Sequence, residues 1–453
     1  MGSVAAPPEI AIIGAGIVGL AVAHGLISRS LGNVTVYEQS SALQENGAGV
    51  AFTKNAVECM HLLSPRATEA LRAVATHSGD KDDPNEWLQW LDGHGGGRDK
   101  EVEEVMMRLW VGKNGFEGCH RQHFLMGLLE RLPVDTVKFN TRVVQVVEGG
   151  EGEKIKLQFG DGSDVRVDAV LGCDGIKSRI RRLLLEDDYP ECCAPQYTHK
   201  VAYRTLIPMD AAISALGEQT ARNQNMHIGP HRHVLHFPVA DQTLLNVVAF
   251  DTDPNPWVEE KTKTAGTQLV SSATRDEIVK AFDAWSKPVR NLLALFPDTT
   301  TKWGIFDTSE YPCPFYAKGP VCIVGDAAHA SSPHHGAGAG VGIEDSLCLV
   351  TAIEAAFGEY RDSGDVSAGE ALRAAFSAYD EVRRERSQWL VKSSREVSEI
   401  YEMTYPDTGR DMEKCLKEIE CRSHKIWYFD YELMLKETRN GVKARLGAGA
   451  PGV

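Results

Sequence analysis

The chain has 453 residues, of which 43% are hydrophobic, and this proportion is enough for sizeable apolar cores. Its formal net charge of −15 argues against binding to nucleic acids as the main function, because contact with phosphate backbones relies on lysine and arginine. No run of about eighteen residues is free of polar interruption, so we expect no membrane span.

The start of the chain and the cysteines exclude further classes. Position 6 is Ala6, not the hydroxyl residue that a myristoylation signal needs there, and no charged segment precedes an apolar one. We therefore expect a cytoplasmic protein. The ten cysteines form no Cys-x-x-Cys pair and have no histidine partner at zinc spacing, so we expect reduced, mostly buried thiols and no metal site.

The first predicted element is a short apolar strand that leads into Gly14-Ala-Gly16-Ile-Val-Gly19 and then a helix. In this pattern Gly14 permits a tight turn, Gly16 lets backbone N–H groups approach a pyrophosphate, and Gly19 allows the helix to pack closely. The second predicted strand ends at Glu38, about twenty residues later, where a carboxylate can accept a ribose hydroxyl. The pattern predicts a doubly wound sheet that binds a dinucleotide.

A Gly-rich turn at Gly47-Ala-Gly49-Val50-Ala51-Phe52 is predicted next, and a helix follows from about Asn55. Residues 78–104 interrupt this pattern with loops around an expected strand that contains Trp90. An amphipathic helix is then predicted between His120 and Leu132. After it we expect hairpin-linked strands at 136–148, 153–158 and 164–171, with a turn at Asp161-Gly162.

From His199 to Phe250, strand-like runs follow one another without the alternating helices of a doubly wound sheet. They predict a second, largely antiparallel sheet inserted into the first domain. The apolar run 320–324 returns to a buried strand of the first sheet, and residues 342–438 have helical periodicity.

Two later motifs follow apolar strands. The first is Gly172-Cys-Asp174-Gly175-Ile-Lys-Ser178-Arg-Ile-Arg181, and the second runs from Gly325-Asp326-Ala-Ala-His329 through Pro333 to Gly336-Ala337-Gly338-Ala339-Gly340. The alternatives are local: Asp326 could cap a helix, and Asp174-Gly175 is a common turn dipeptide.

With these motifs in this order, residues 8–400 resemble the FAD-dependent aromatic-ring monooxygenases of the para-hydroxybenzoate and salicylate hydroxylase type. The resemblance implies an α/β (α+β) fold, with a Rossmann-like FAD-binding domain, an inserted antiparallel substrate sheet and a helical C-terminal region. The predicted divisions are 1–76, 105–195 and 306–395 for the FAD-binding domain, 77–104 and 196–305 for the substrate domain, and 396–453 for the helical region.

The resemblance also implies the cofactors: noncovalent FAD, NADPH or NADH as a transient reductant, and O2 as co-substrate, with C4a-hydroperoxyflavin as oxygen donor. Asp326 is expected to hold a ribityl hydroxyl, and the helix after Pro333 to face the flavin with its N–H groups. Arg121 matches the family's arginine on the ribityl-phosphate side, a surface arginine being the alternative. The predicted FAD-binding residues are Gly14, Gly16, Gly19, Glu38, Gly49, Val50, Ala51, Arg121, Asp174, Asp326, Gly336, Ala337, Gly338 and Ala339.

Arg204 is the predicted catalytic residue. It lies in the middle of a predicted strand among apolar residues, where a cation can hold a substrate phenol as phenolate and make its ring electron-rich. A structural salt bridge is the alternative. The chain further resembles fungal salicylate-hydroxylase-like enzymes, some of which dearomatise polyketide phenols in secondary metabolism. Their anchoring tyrosines are replaced here by phenylalanines, and the predicted substrate-binding residues are Arg204, Phe116, His236, Phe237 and Pro333.

Other polar residues are expected to be structural. Tyr203 should pack on the sheet face opposite Arg204, and His329 should cap its loop. His227 and His233 are most simply satisfied core histidines. The helical pattern Tyr379-x-x-x-Arg383-x-x-Arg386 predicts a charge network.

The sequence thus favours an NAD(P)H- and O2-dependent monooxygenase that hydroxylates a phenolic, polyketide-type substrate with dearomatisation. Decarboxylative hydroxylation of a salicylate-like acid is a second reading, and a flavin-binding protein without turnover is a third. We expect a monomer or homodimer whose only partners are small molecules.

Overall fold

The computed structural model describes residues 7–43, 49–79, 85–95, 97–112, 115–147, 153–257, 269–363 and 366–447. Gly47 and Ala48 of the predicted Gly-rich turn lie outside these ranges. The strands are β1 (Glu9–Ile13), β2 (Asn33–Tyr37), β3 (Gly49–Phe52), β4 (Trp87–Asp92), β5 (Val105–Trp110), β6 (Glu117–His120), β7 (Val137–Lys138), β8 (Val143–Val147), β9 (Ile155–Phe159), β10 (Asp164–Val167), β11 (Ala169–Gly172), β12 (Gln196–Pro208), β13 (Asn225–Gly229), β14 (Arg232–Val239), β15 (Leu244–Thr252), β16 (Val270–Thr274), β17 (Thr299–Asp307), β18 (Ala317–Lys318) and β19 (Val321–Ile323).

Helices connect and cover these strands, and short 3-10 turns lie at Pro190–Cys193 and Pro333–His335. The helices are α1 (Ile17–Ser28), α2 (Lys54–Leu63), α3 (Pro65–Arg72), α4 (Arg121–Glu130), α5 (Arg179–Leu185), α6 (Met209–Leu216), α7 (Glu218–Ala221), α8 (Arg275–Ala281), α9 (Lys287–Leu293), α10 (Asp326–His329), α11 (Gly338–Ser363), α12 (Ala368–Tyr401), α13 (Met412–Trp427) and α14 (Tyr431–Gly447).

The first sheet has six strands in the order β18-β19-β11-β1-β2-β7, and β19, β11, β1, β2 and β7 run parallel. Its strands are short and apolar because helices bury them: α1 is itself mostly buried and packs against α11. The carboxyl ends of β1, β11 and β19 meet at one edge. This edge therefore brings together the three motifs, which are far apart in the sequence.

The second sheet has eight strands in the order β16-β17-β12-β15-β14-β13-β4-β5. Its pairs are antiparallel except for β13 with β4, which run parallel. Helices α6, α8 and α9 cover one face through an apolar cluster that includes Phe282 and Trp285. The other face points toward β3 and the segment between α10 and α11. The mixed α/β fold of the prediction is confirmed.

Two predicted strands are each divided in the structure. Residues 164–171 form β10, which pairs with β9 in a small antiparallel sheet, and β11, which joins the parallel sheet. The change of sheet occurs at Asp168, whose carboxylate accepts the backbone N–H of Glu9. Residues 136–148 divide in the same way into β7 and β8. Apolar periodicity marks burial but does not identify the sheet that buries a strand.

The predicted domain division remains a prediction, with two differences at its boundaries. Strand β5 lies in the eight-stranded sheet, although the predicted division places residues from 105 onward in the FAD-binding domain. Helix α12 crosses the expected boundary at 395 without interruption. Both differences arise because the predicted division was based on sequence motifs. These motifs do not show which sheet a strand pairs with or how far a helix continues.

Candidate active site

The glycine loop after β1 has the geometry that its spacing predicts. Gly14 has a φ of +102°, and a Cβ there would lie 2.6 Å from the carbonyl oxygen of Cys173. A Cβ on Gly19 would lie 2.0 Å from the carbonyl oxygen of Gly14. In contrast, a Cβ on Gly16 would meet no atom within 4 Å, and no side chain caps α1 at this position. The N-terminus of α1 therefore faces open space suited to a pyrophosphate.

Glu38 lies at the end of β2 beside this loop. Its Oε2 accepts the backbone N–H of Ala15 at 2.9 Å, and its Oε1 accepts that of Ser40 at 2.8 Å. The carboxylate thus lies where it is expected to accept a hydrogen bond from a ribose hydroxyl.

We expect Glu38→Ala to weaken FAD binding by about 1.5–3 kcal/mol, the contribution of a charged hydrogen bond. Glu9→Ala is the matched control, because Glu9 begins β1, at the end of the strand opposite to the glycine loop, and its carboxylate accepts from the side-chain amide of Asn33. The measurement is the Kd of FAD for the apoprotein by flavin fluorescence. Equal Kd values for both variants would remove Glu38 from the site.

Asp326 begins α10 directly after β19, where Gly325 has a φ of +63°. Its Oδ1 lies 4.0 Å from the position of a Cβ on Gly338, the first residue of α11. Asp326 lines a cavity between the two sheets. Desolvation raises the pKa of its carboxyl group, while the charges of His329 and Arg121 act in the opposite direction. Asp326 and the N-terminus of α11 therefore form one polar wall of the cavity.

Arg121 is the first residue of α4, as predicted. Burial lowers its pKa, and the charge of Asp326 opposes this effect, so the two side chains act on each other. A cation paired with the acid at the carboxyl edge of the sheet is consistent with a role on the ribityl-phosphate side of FAD.

The Asp174 motif makes mainly local contacts. The carboxylate accepts the hydroxyl of Ser178 at 2.5 Å and the backbone N–H groups of Arg179 and Ile180 at 2.6 and 3.1 Å. These are the bonds of a turn that caps a helix. Arg181 donates to the carbonyl oxygens of Asp326 and Ala327, which ties this turn to α10. Contact between Asp174 and FAD remains a prediction.

A cavity of about 270 Å³ lies between the eight-stranded sheet, β3 and the segment around Pro333. Arg204, Phe116, Phe237 and Pro333 line it, as their predicted roles require. Ala337 instead packs into an apolar cluster. Predicted FAD-binding residues that share the lining are Gly49, Val50, Ala51, Asp326, Gly336, Gly338 and Ala339.

Arg204 is the most unusual charge in this cavity. It lies on β12 opposite Val248, and its guanidinium carbon is 5.4 Å from the centre of the Trp303 ring. Among the described residues no carboxylate forms a salt bridge with it, and its buried Nε has no hydrogen-bond partner. Burial lowers its pKa to about 10, and the charge of Arg121 adds to this effect. A bound anion would remove the cost of this unpaired cation.

The predicted contact between His236 and the substrate needs correction. His236 is fully buried on the opposite face of the sheet, where its ring lies 5.1 Å from that of His227. Side chains alternate between faces along a strand, so Leu235 and Phe237 line the cavity and His236 does not. The same alternation places Tyr203 in the apolar cluster behind the sheet, as predicted.

The sequence did not reveal several cavity residues. Asn246 accepts the backbone N–H of Gly49 at 3.1 Å and so fixes β3 against the sheet. The sequence did contain one signal for Asn246, because it is the only amide side chain within the apolar run of β15. Tyr401 and Trp427 come from α12 and α13, and no motif in these helices marks them. His334 belongs to a recognised motif, but the motif gave it no role.

The predicted charge network is present between α11 and α12. Arg383 Nε donates to Asp345 at 2.7 Å, and Arg383 Nη2 donates to Glu344 at 2.8 Å. Arg386 contacts the same Glu344. His329 lies 2.5 Å from Asp345, so it joins this network rather than capping its loop.

No helix among the described residues is both long and apolar enough to cross a membrane. Within the same ranges, no three or more histidine, cysteine or carboxylate side chains are grouped to hold a metal ion.

The open glycine loop, the acid of β2 and the polar wall at Asp326 fit a flavin dinucleotide, and they define an FAD-binding protein of the para-hydroxybenzoate hydroxylase fold. The FAD binding domain family matches residues 8–394, so the chain belongs to this family. It is an FAD-dependent monooxygenase. This membership supports turnover, not flavin binding alone.

Relatives extend over the whole chain. The FAD-dependent monooxygenase pigN of Monascus ruber is 46% identical over 440 residues, 97% of each protein. Salicylate hydroxylase asL1 of Sarocladium schorii is 41% identical over 461 residues, covering 99% of this chain and 94% of that protein. A solved salicylate hydroxylase substrate complex has 31% identity and a TM-score of 0.79, and the match covers 96% of this chain and 98% of the other.

Proposed function

We propose that this monooxygenase uses NADPH or NADH and O2 to hydroxylate a phenolic, polyketide-type substrate, with loss of aromaticity, and that Arg204 holds the substrate as phenolate. The observation that carries the proposal is the guanidinium of Arg204 in a cavity with apolar walls, where its buried Nε has no hydrogen-bond partner among the described residues. Such a cation favours an anionic ligand and lowers the pKa of a phenol beside it.

The rest of the cavity suits a planar ring. Phe116 and Trp427 meet edge to face, with ring centres 5.6 Å apart, and Met226, Leu235 and Phe237 provide apolar contacts along the sheet. These walls exclude water from the ring and from the cofactor. When bound, FAD supplies the redox chemistry with the nicotinamide and O2. The protein supplies the charge, the orientation and the dry surroundings.

Decarboxylative hydroxylation of a salicylate-like acid is the second candidate. It is favoured by the relatives that are named salicylate hydroxylase. A carboxylate would also satisfy Arg204, so the cavity geometry permits both substrates. Product analysis with substituted resorcinols and salicylates separates them. We expect oxygenated products that have lost their ring absorbance; a catechol with release of CO2 would establish the second candidate instead.

We expect a bound phenol to accelerate reduction of the flavin by NADPH or NADH. The chain has one visible dinucleotide-binding motif, so the nicotinamide needs a transient approach that closes before oxygen chemistry begins. The measurement is stopped-flow bleaching of flavin absorbance, with and without a substituted resorcinol. The same compound with both hydroxyl groups methylated is the control, because it keeps the substituted ring but cannot ionise. Equal reduction rates in all three experiments would contradict substrate gating.

A further inference from the structure

A chain of buried hydrogen bonds joins the cavity to a carboxylate at the end of α12. His334, which lines the cavity and is 4% exposed, lies with its Nδ1 3.1 Å from Nε2 of His233. Nδ1 of His233 lies 3.1 Å from Oε1 of Glu402, a fully buried carboxylate. The mechanism proposed above uses none of these three residues.

The carboxylate fixes which nitrogens carry protons. Glu402 only accepts, so Nδ1 of His233 donates and its Nε2 is left as an acceptor. Nδ1 of His334 then donates to that nitrogen, and Nε2 of His334 keeps a free lone pair. This Nε2 has no hydrogen-bond partner among the described residues. A proton acceptor is therefore left unsatisfied beside the cavity that holds Arg204.

The surrounding charges keep the relay in this state. The pKa of His334 is well below its usual value because it is buried, and the charges of His233, Lys200, His335 and Arg204 lower it further. Burial and these charges thus favour the neutral imidazole of His334, with its single ring proton on Nδ1. The pKa of Glu402 is lowered by its bond to His233 and by the charge of Lys200, although burial opposes this shift.

The chain of bonds continues to the surface. Lys200 forms an ion pair with Oε2 of Glu402, and the hydroxyl of Thr252 lies 3.3 Å from the same oxygen. Thr252 is exposed at the end of β15. Glu402 therefore connects the interior of the sheet with solvent.

We propose that His334, His233 and Glu402 carry the phenol proton of the substrate from the cavity to solvent; this inference rests on the proposed function. The phenol O–H bond breaks as an N–H bond forms at Nε2 of His334, and Nδ1 of His334 passes its proton to Nε2 of His233. Nδ1 of His233 then protonates Oε1 of Glu402. The negative charge moves from Glu402 to the phenolate at Arg204, and Glu402 releases the proton at Thr252.

A second buried pair of the same composition provides a control. Nδ1 of His227 lies 2.8 Å from Oε2 of Glu103, and both side chains are nearly inaccessible. This pair lies on the face of the sheet that points away from the cavity. Both pairs thus consist of a buried histidine beside a buried glutamate. Of the two, the pair of His233 and Glu402 is the one that is hydrogen-bonded to a cavity residue, His334.

The test follows formation of the phenolate in oxidised, FAD-loaded protein without a reductant. The probe is 2,4-dihydroxybenzaldehyde, whose phenolate absorbs at longer wavelength than the phenol, and a stopped-flow pH jump starts the reaction. We expect Glu402→Gln and His334→Ala to slow phenolate formation about 10²-fold, the usual contribution of a positioned acid or base. Glu103→Gln should match the wild type. Added imidazole should restore the rate of His334→Ala.

The outcomes are distinct. If Glu402→Gln does not fold, His334→Ala and its recovery with imidazole decide the question. Unchanged rates in both variants, with the probe bound as phenolate, would overturn the relay and leave the proposed function intact. A wild-type protein that binds the probe only as the neutral phenol would overturn the proposed function and the relay together.

Discussion

Replacing Arg204 with alanine should reduce product formation about 10²- to 10³-fold while FAD remains bound. The guanidinium lies on the substrate sheet, away from the glycine loop, so its loss removes the anion site but not the dinucleotide site. Phenylalanines occupy positions 116 and 237, so neither side chain there can replace the lost charge. Any oxidation of NADPH or NADH that persists in the variant should yield hydrogen peroxide instead of oxygenated product. The experiment measures the mass of the product, the amount of peroxide and the flavin content of the protein.

Two variants make this result interpretable. Arg204→Lys should recover part of the activity, because it keeps the charge but loses the planar, two-point fork of the guanidinium. Arg232→Ala is the control on the same sheet, since Arg232 already pairs with Asp251 at 2.7 Å and does not line the cavity. If Arg204→Ala forms product at a near wild-type rate with full coupling, Arg204 is a structural residue.

Replacing Arg383 with leucine should lower the free energy of unfolding by about 3–5 kcal/mol, the cost of leaving buried carboxylates without their cation. Arg383 is fully buried and donates to both Glu344 and Asp345. Such a loss is a large fraction of the stability of an ordinary domain. The measurement is the urea midpoint, followed by circular dichroism and by release of FAD.

A surface pair on the same helical layer is the control for this experiment. Lys443 lies 3.8 Å from Glu359, and both side chains are exposed. Lys443→Met should change stability by less than about 1 kcal/mol, because water screens the pair. Equal shifts for Arg383→Leu and Lys443→Met would show that the buried network contributes no more than a surface pair.

Local signals in the sequence were sufficient for the dinucleotide site. The spacing of Gly14, Gly16 and Gly19 determines backbone geometry within a few residues, and the structure shows the turn, the open space and the close packing that it predicts. Parallel strands bring Gly14, Asp174 and Asp326 to one edge for a general reason, since their carboxyl ends coincide. The pattern of Arg383 and Arg386 is equally local, because residues three apart share a helix face.

The substrate cavity was only partly predictable. Arg204 was identified because a cation within an apolar strand is costly unless it has a function. The strand pattern of β14 was visible as well, yet the sequence did not show which alternate residues faced inward. His236 was therefore assigned to the cavity, whereas pairing with β13 and β15 turns it away and turns His233 toward α12.

The sequence by itself determined the cofactor class, the two-sheet architecture and the position of Arg204 within an apolar strand, because each depends on short motifs or on strand periodicity. Only the tertiary structure decided which sheet takes β5 and β10, and which side chains from α12 and α13 close the cavity. It alone joined Glu402 to His233 and His334, residues separated by 169 and 101 positions. Contacts over such separations depend on how complete elements pack, and no local pattern of residues encodes them.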